Sequence, residues 1–279
     1  MKKVALIISV YKNTRDLEVV LRSVEQQTYK DVKVIISEDG NSSEMKSFVA
    51  SYRGNLDINH LTQEDLGWRK NIALNNAIKF TDCEYIIFID GDCVLHPEFI
   101  QNHIRFAQKD KVLAGKRIKL GPEYSSELRL SENIADFCKR ILPEFRLIKK
   151  DDAKFCEEGI YIAPRSVLGF IPKLRKMKQL KGCNFSCYKS ALEVINGFDE
   201  DYILPAIGED IDLTWRFKGM GFELFSLRNL AVQYHLYHKE NWTDQSENER
   251  IMHGKISSNQ FVAINGLKKF KLKKSTRKE

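Results

Sequence analysis

No apolar run in this 279-residue chain approaches the length needed to span a bilayer, so no segment reads as a transmembrane helix. Met1-Lys2-Lys3 followed by Val4 to Val10 has the outline of a signal peptide. The apolar run is short, however, and Lys12 follows without a small-residue cleavage site, so a secretory leader is not expected. Cysteine pairing signals are also missing. Cys83, Cys93, Cys138, Cys156, Cys183 and Cys187 include no Cys-x-x-Cys spacing and sit partly inside apolar runs, which reads as reduced thiols in a cytoplasmic protein. There is no internal repeat and no low-complexity segment.

With 43% hydrophobic and 30% charged residues, the composition suits one large α/β domain, or a domain with an appendage. The net charge is +7, and much of the excess lies between Lys139 and Lys181 and from Lys268 to Lys278. Such clusters suggest an anionic partner, membrane surface or nucleic acid, with a solvated basic face that has no partner as the alternative. Nucleic acid is not expected as a partner, because no recognised binding motif accompanies the charge.

The centre of the chain is Tyr85-Ile86-Ile87-Phe88-Ile89, a short apolar run ending at Asp90-Gly91-Asp92-Cys93. This is how a strand buried on both faces of a mostly parallel sheet reads, with a loop at its carboxyl end. Ligands of open α/β sheets sit beyond those ends. Two neighbouring carboxylates repel unless a cation shares them, and oxygen ligands suit Mg²⁺ or Mn²⁺. Asp90 and Asp92 therefore read as a metal and diphosphate site. The alternative is a polar turn in which Asp92 caps a helix beginning at Pro97.

Around this centre the pattern alternates. Val4 to Val10 is a strand, and Asn13-Thr14-Arg15-Asp16 opens a helix carrying Leu17, Val20, Leu21 and Val24. Val32 to Ser37 is a strand running into Glu38-Asp39-Gly40, which places Asp39 on the same rim as Asp90. Asn55 to His60 is a weaker strand, followed by a helix towards Lys79. Arg69 and Lys70 at that helix's start oppose the dipole preference, and an anionic ligand would account for them. A helix from Pro97 to Gln108 and a strand from Val112 to Ile118 complete a nucleotide-binding half. Gly121 to Lys181 is less regular and reads as a basic, mobile or surface-docking insert. Gly182 to Ser186 resumes a strand, a helix from Lys189 ends at Gly197, and Glu209-Asp210 stand at another helix start. There a carboxylate oriented by the backbone reads as a general base, with simple helix capping as the alternative. His235 and His238 follow a strand from Ala231 to Tyr234, where an imidazole is a suitable third ligand for an ion at Asp92.

Taken in order, Ser9-Val10-Tyr11, Ser37-Glu38-Asp39-Gly40, Gln63-Glu64-Asp65-Leu66-Gly67-Trp68-Arg69, Asp90-Gly91-Asp92, Gly182-Cys183-Asn184, Gly208-Glu209-Asp210 and Tyr234-His235-Leu236 resemble family 2 glycosyltransferases. The second half resembles the galactosyltransferase and chondroitin-polymerase type. The resemblance covers roughly Val4 to His238.

It implies a GT-A fold: an α/β domain over 1–240 in which a Rossmann-like nucleotide-binding half joins an acceptor-binding half across a mixed, mostly parallel sheet. The insert at 121–181 and a helical, basic tail at 241–279 are matched poorly. The implied activity is inverting, metal-dependent transfer from a UDP-sugar to a glycan or lipid-linked acceptor, at a cytoplasmic or peripheral membrane location. By position, Ser9, Tyr11, Asp39, Gln63, Gly67, Arg69 and Asn75 would line the nucleoside pocket, with Asp39 on the uracil. Asp90 and Gly91 would meet the ribose or metal-bound water, and Asp92 and His235 would ligate Mn²⁺ or Mg²⁺, with His238 as a substitute. Asn184 would approach the donor sugar, Glu209 would orient the acceptor, and Asp210 would be the base. One departure is Ala73-Leu74-Asn75, where many relatives read Ala-Arg-Asn. Two alternative functions stand beside this reading: a haloacid-dehalogenase-type phosphatase using the Asp90 loop, and a non-catalytic glycan-binding subunit.

Overall fold

The computed structural model describes residues 3–239 and 244–270. Its first half runs β1 (Val4–Val10), α1 (Thr14–Glu25), β2 (Val32–Glu38), α2 (Ser43–Ser51), β3 (Asp57–Leu61), α3 (Lys70–Phe80) and β4 (Tyr85–Asp90). Strand β1 is apolar on both faces and is covered on both. Leu6 and Ile8 pack with Leu17, Val20, Leu21 and Val24 of α1. Ala5 and Ile7 face Leu74, Ala77 and Ile78 of α3. The α1 start forms as its sequence suggests, with the Asn13 side chain accepting from the Asp16 backbone N–H at 3.1 Å.

All three pairings in this half are parallel, and Ser9 is in register with both Ser37 and Asp90. The carboxyl ends of β1, β2 and β4 therefore share one rim, and that positions the site.

Beyond Asp92 the structure departs from the sequence-based expectation. Asp92 caps no helix: the chain enters β5 (Cys93–Leu95), and α4 (Phe99–Phe106) starts later, with Glu98 at its N-cap. The expected strand from Val112 to Ile118 is two strands, β6 (Lys111–Ala114) and β7 (Ile118–Lys119), which enter different sheets. Gly115 sits at the break because the Asn184 side chain fills the space beside it; an added Cβ would lie 2.5 Å from that amide.

The segment expected to be irregular carries α5 (Pro122–Leu130), α6 (Ile134–Arg140), α7 (Phe145–Lys150) and the short α8 (Ile171–Leu174). Leu128, Ile134, Phe137, Ile141 and Ile148 are buried in the same core as β1 and α1. Arg129 fastens α5 to α1 through Asp16, at 2.6 Å. These elements are short, which is why their periodicity is weak in the sequence.

The chain then forms β8 (Asn184–Tyr188), α9 (Lys189–Val194), a π turn at Ile207–Ile211, α10 (Asp212–Gly219), β9 (Glu223–Ser226), β10 (Gln233–His235) and α11 (Ser246–Ser257). Strand β8 runs antiparallel between β4 and β6, giving a seven-stranded sheet of order β3-β2-β1-β4-β8-β6-β9. A second sheet, β5-β10-β7, brings His235 opposite Cys93. All six cysteines are free thiols. Among the described residues no helix is long and apolar enough to cross a membrane. The basic tail from 271 to 279 lies outside the described residues.

Candidate functional site

A cavity of about 650 Å³ opens over the rim, lined by Ser9, Val10, Tyr11, Asn13, Asp39, Gly67, Trp68, Lys70, Asp90, Gly91, Asp92 and His238. One end is organised by Asp39. Its carboxylate accepts from Gln63 Nε2 at 2.7 Å and from the Arg69 backbone N–H at 2.7 Å. Gln63 is itself anchored by its backbone N–H on the Gly40 carbonyl at 2.9 Å. Gln63 and Arg69 therefore shape the pocket by holding Asp39 and do not line it. The Arg69 guanidinium turns away to the Glu64 carbonyl. Gly67, at φ +79°, makes the turn that brings the Arg69 N–H back. The Tyr11 ring is exposed beside this end.

At the other end Gly91 donates to the Ser9 carbonyl at 2.8 Å. A side chain there would meet Val10 Cγ1 at 2.6 Å, so the turn between the two acids requires glycine. Asp90 accepts from Lys70 Nζ at 2.8 Å, and the same ammonium lies 2.5 Å from Glu209 Oε2. Burial pushes the Lys70 pKa down, but the Asp90 and Glu209 charges outweigh it and hold the ammonium well above the ordinary lysine range. Burial likewise pushes the Glu209 carboxyl up, against the pull of Lys70.

Asp92 Oδ2 is 3.4 Å from His235 Nε2 and 3.3 Å from His238 Nε2. Burial pushes the Asp92 carboxyl up, yet the His238 hydrogen bond and the charges of His235, His238 and Arg117 bring it below the usual carboxylate range. Burial lowers the His235 pKa more than Asp92 raises it, which favours a neutral imidazole able to bind a metal. The donor atoms of the three residues all lie within 4.8 Å of one another. One carboxylate and two imidazoles fit a divalent cation, and the nitrogen share favours Mn²⁺ over Mg²⁺. A second group, Asp90, Cys93 and Cys183, fits less well. The Arg117 guanidinium contacts Cys183 Sγ, and burial holds the Cys93 thiol far above its ordinary range, so it is not a ready thiolate ligand.

Asp210 follows Glu209 in the π turn. Its Oδ1 accepts from the Gly182 N–H and its Oδ2 from Lys181 Nζ, both at 2.6 Å. The structure thus connects the acidic constellations through Asp90, Lys70 and Glu209, and brings Asp92, His235 and His238 together.

Two expected site residues are placed elsewhere. Asn75 lies within α3, and its amide binds the Phe198 N–H at 2.9 Å and the Phe198 carbonyl at 2.8 Å, so it locks a loop and does not line the cavity. Asn184 is fully buried, donating to the Lys116 carbonyl at 2.9 Å and the Ala231 carbonyl at 3.1 Å, with His103 Nε2 3.3 Å from its oxygen. Both amides serve backbone satisfaction. Lys70 and Lys181, in contrast, were not among the expected site residues. Lys70 carried a signal, as a cation at a helix start, but its partners are protein carboxylates.

Residues 5–168 match the family description "Glycosyl transferase family 2", and the chain belongs to that family. It is similar to validoxylamine A glucosyltransferase of Streptomyces hygroscopicus subsp. jinggangensis, with 23% identity over 91% of this chain and 58% of that protein. It is also similar to poly(ribitol-phosphate) beta-N-acetylglucosaminyltransferase TarP of Staphylococcus aureus, with 25% identity over 39% of this chain and 34% of TarP. Among solved structures, Staphylococcus aureus TarS in complex with UDP-GlcNAc has a TM-score of 0.58 at 14% identity, covering 95% of this chain and 67% of that one. A mannosyltransferase from Pyrobaculum calidifontis in complex with GDP-Man and Mn²⁺ has a TM-score of 0.55 at 16% identity, covering 86% of this chain and 59% of that one. At these identities the structural likeness is one of fold, and that fold is GT-A. The chain spans little more than half the length of the first of these curated relatives.

Proposed function

We propose that the protein is an inverting glycosyltransferase that moves a sugar from a UDP-sugar to a glycan or lipid-linked hydroxyl in the presence of a divalent cation. One observation carries this reading: the cavity that holds Asp39 at one end is lined at the other by Asp92 and His238, which cluster with His235, and by Lys70, whose ammonium also binds Glu209 next to Asp210.

In this proposal Asp39 accepts from the uracil N–H, beside Tyr11 and Gly67. Asp92, His235 and His238 would hold Mn²⁺ or Mg²⁺, with Asp90 reaching it through water. When bound, the ion neutralises the charge that develops on the leaving diphosphate. Asp210 takes the proton of the acceptor hydroxyl as that oxygen attacks the anomeric carbon from the opposite face, which inverts the centre. For this, Lys181 has to release Asp210 Oδ2, while the Gly182 N–H keeps the carboxylate oriented. Glu209, fixed by Lys70, orients the acceptor. A phosphatase reading needs Asp90 free as a nucleophile, and Lys70 already holds it.

The family's structural neighbours bind different nucleotides, UDP-GlcNAc and GDP-Man, so the donor test must include both bases. Incubating the protein with Mn²⁺ and a panel of UDP- and GDP-sugars, and assaying release of the free nucleotide, tests the reading. Release from at least one UDP-sugar is expected. No release from any donor, with tight glycan binding retained, would instead mark a non-catalytic glycan-binding subunit.

The proposal extends to location: a cytoplasmic protein held on an anionic membrane face. The stretch around α8 exposes Val167 at 93%, together with Leu168, Phe170 and Leu174, beside the exposed cations Arg165, Lys173 and Lys176. Apolar side chains rimmed by cations suit an anionic leaflet. Sedimentation with phosphatidylserine vesicles should fall in Phe170→Asp and at high salt; insensitivity to both rejects the membrane role.

A further inference from the structure

A second cavity, of about 270 Å³, is lined by Lys116, Arg117, Lys119, Phe155 and Lys181, with no acid among its lining residues. Four cations converging on one hollow repel one another unless an anion joins them. Internal partners meet part of this demand: Lys181 reaches Asp210, Lys119 has an interaction of its own, and Arg117 reaches Cys183 and feels the Asp90 and Asp92 charges, yet Arg117 Nε is buried without an acceptor among the described residues.

The hollow adjoins the proposed base. Lys181 is 2.6 Å from Asp210, the base in the proposed reaction. Lys119 is in register with His235 across the β7–β10 pair, and a smaller cavity of about 200 Å³ is lined by Lys119, His235 and His238 together. The nucleotide cavity contains none of the five residues but shares His238 with that smaller one. The smaller cavity thus links the two, sharing Lys119 with the cationic hollow and His238 with the nucleotide cavity.

Phe155 adds a different kind of contact. It is 54% exposed and holds φ +58°, a left-handed conformation that a bulky side chain adopts at a steric cost. The neighbouring Lys119–Lys154 backbone bridge fixes it there. An exposed ring at the mouth of a polar hollow offers a flat apolar face to a sugar ring.

We propose that Lys116, Arg117, Lys119, Lys181 and Phe155 form the acceptor subsite, and that it takes a saccharide carrying a phosphate or carboxylate group. The inference rests on the proposed role of Asp210 as base. The anion could belong to the glycan itself or to the diphosphate of a lipid-linked glycan, since both present the same oxygens to the cations.

Equilibrium titration of the full chain tests this without turnover. The probes are a disaccharide phosphate monoester, a disaccharide containing glucuronic acid and a short prenyl diphosphate-linked GlcNAc, each beside its uncharged counterpart. Binding of charged probes at least about tenfold tighter than their counterparts, and weakening with salt, is expected. Which charged probe binds identifies the source of the anion. The Lys116→Gln/Lys119→Gln protein should bind that probe about tenfold or more weakly, and Phe155→Ala should weaken it too. UDP affinity, measured in parallel, should be unchanged in both variants, so a failure of the donor reading shows separately. Equal binding of neutral probes, binding of none, or undiminished binding by the double variant overturns the proposal.

Discussion

Glu209 and Asp90 lie on opposite sides of one ammonium, with Lys70 Nζ 2.5 Å from the first and 2.8 Å from the second. Through it the π turn at Ile207–Ile211 is fastened to the end of β4. Removing that cation leaves two half-buried acids unpaired; unpairing a fully buried charge costs about 3 kcal/mol or more, and partial exposure reduces this to about 2 kcal/mol. Lys70→Met should lower the free energy of unfolding by that order in urea titrations. Adding Glu209→Gln should restore part of the loss, a non-additive outcome that independent surface charges would not give.

Replacing Asp210 by Asn keeps the side chain's shape and an oxygen for the Gly182 N–H, but removes the proposed proton acceptor. Transfer should fall about a thousandfold, while UDP affinity stays at the parent level. Turnover near parent would move the base to another residue.

The metal-binding assignment is tested by following free Mn²⁺ by electron paramagnetic resonance in the presence of UDP. Asp92→Ala should abolish protein-dependent loss of the free-ion signal. His235→Ala and His238→Ala should each weaken binding by about tenfold or more. Binding unaffected by all three substitutions would place the ion elsewhere.

Stability should also depend on pH through a histidine remote from the cavity. His103 is fully buried, with Nδ1 2.7 Å from Ser186 Oγ, and burial pushes its pKa down to about 3. The unfolded chain, near 6.5, therefore takes up its proton first as pH falls. The stability conferred by the neutral ring is full above 6.5 and is lost as pH drops towards 3. Between pH 6.5 and 4 the expected loss is about 3 kcal/mol. Denaturation of His103→Gln beside the parent should show a flatter pH dependence over that window.

Much of the scaffold was legible in the sequence, because β1, β2, β4 and α1 are specified by local pattern: continuous apolar runs, then a helical stripe behind an Asn cap. The same patterns place Ser9, Asp39 and Asp90 on one rim, since parallel strands end together. Short elements were not legible. The residues of β5 read as the approach to a helix, and nothing local shows that their partner is β10. Residues whose surroundings depend on distant partners are illegible for the same reason. Asn75 and Asn184 match their family positions, yet their amides are consumed by backbone groups of Phe198, Lys116 and Ala231. Lys70 looked like a hook for an external anion because Glu209 is remote in the chain.

The histidines owe their position to very little secondary structure. His235 faces Cys93 across a three-residue strand, and the Asp92 carbonyl accepts the Leu236 N–H at 2.9 Å. In a pleated ribbon, a slip of one residue turns every side chain to the opposite face. Deletion of Gln233 or Tyr234 should thus swing the His235 imidazole away from the carboxylate even though every donor is retained. The geometry of the proposed metal site is set by the counting of a backbone ladder as much as by the identity of its side chains.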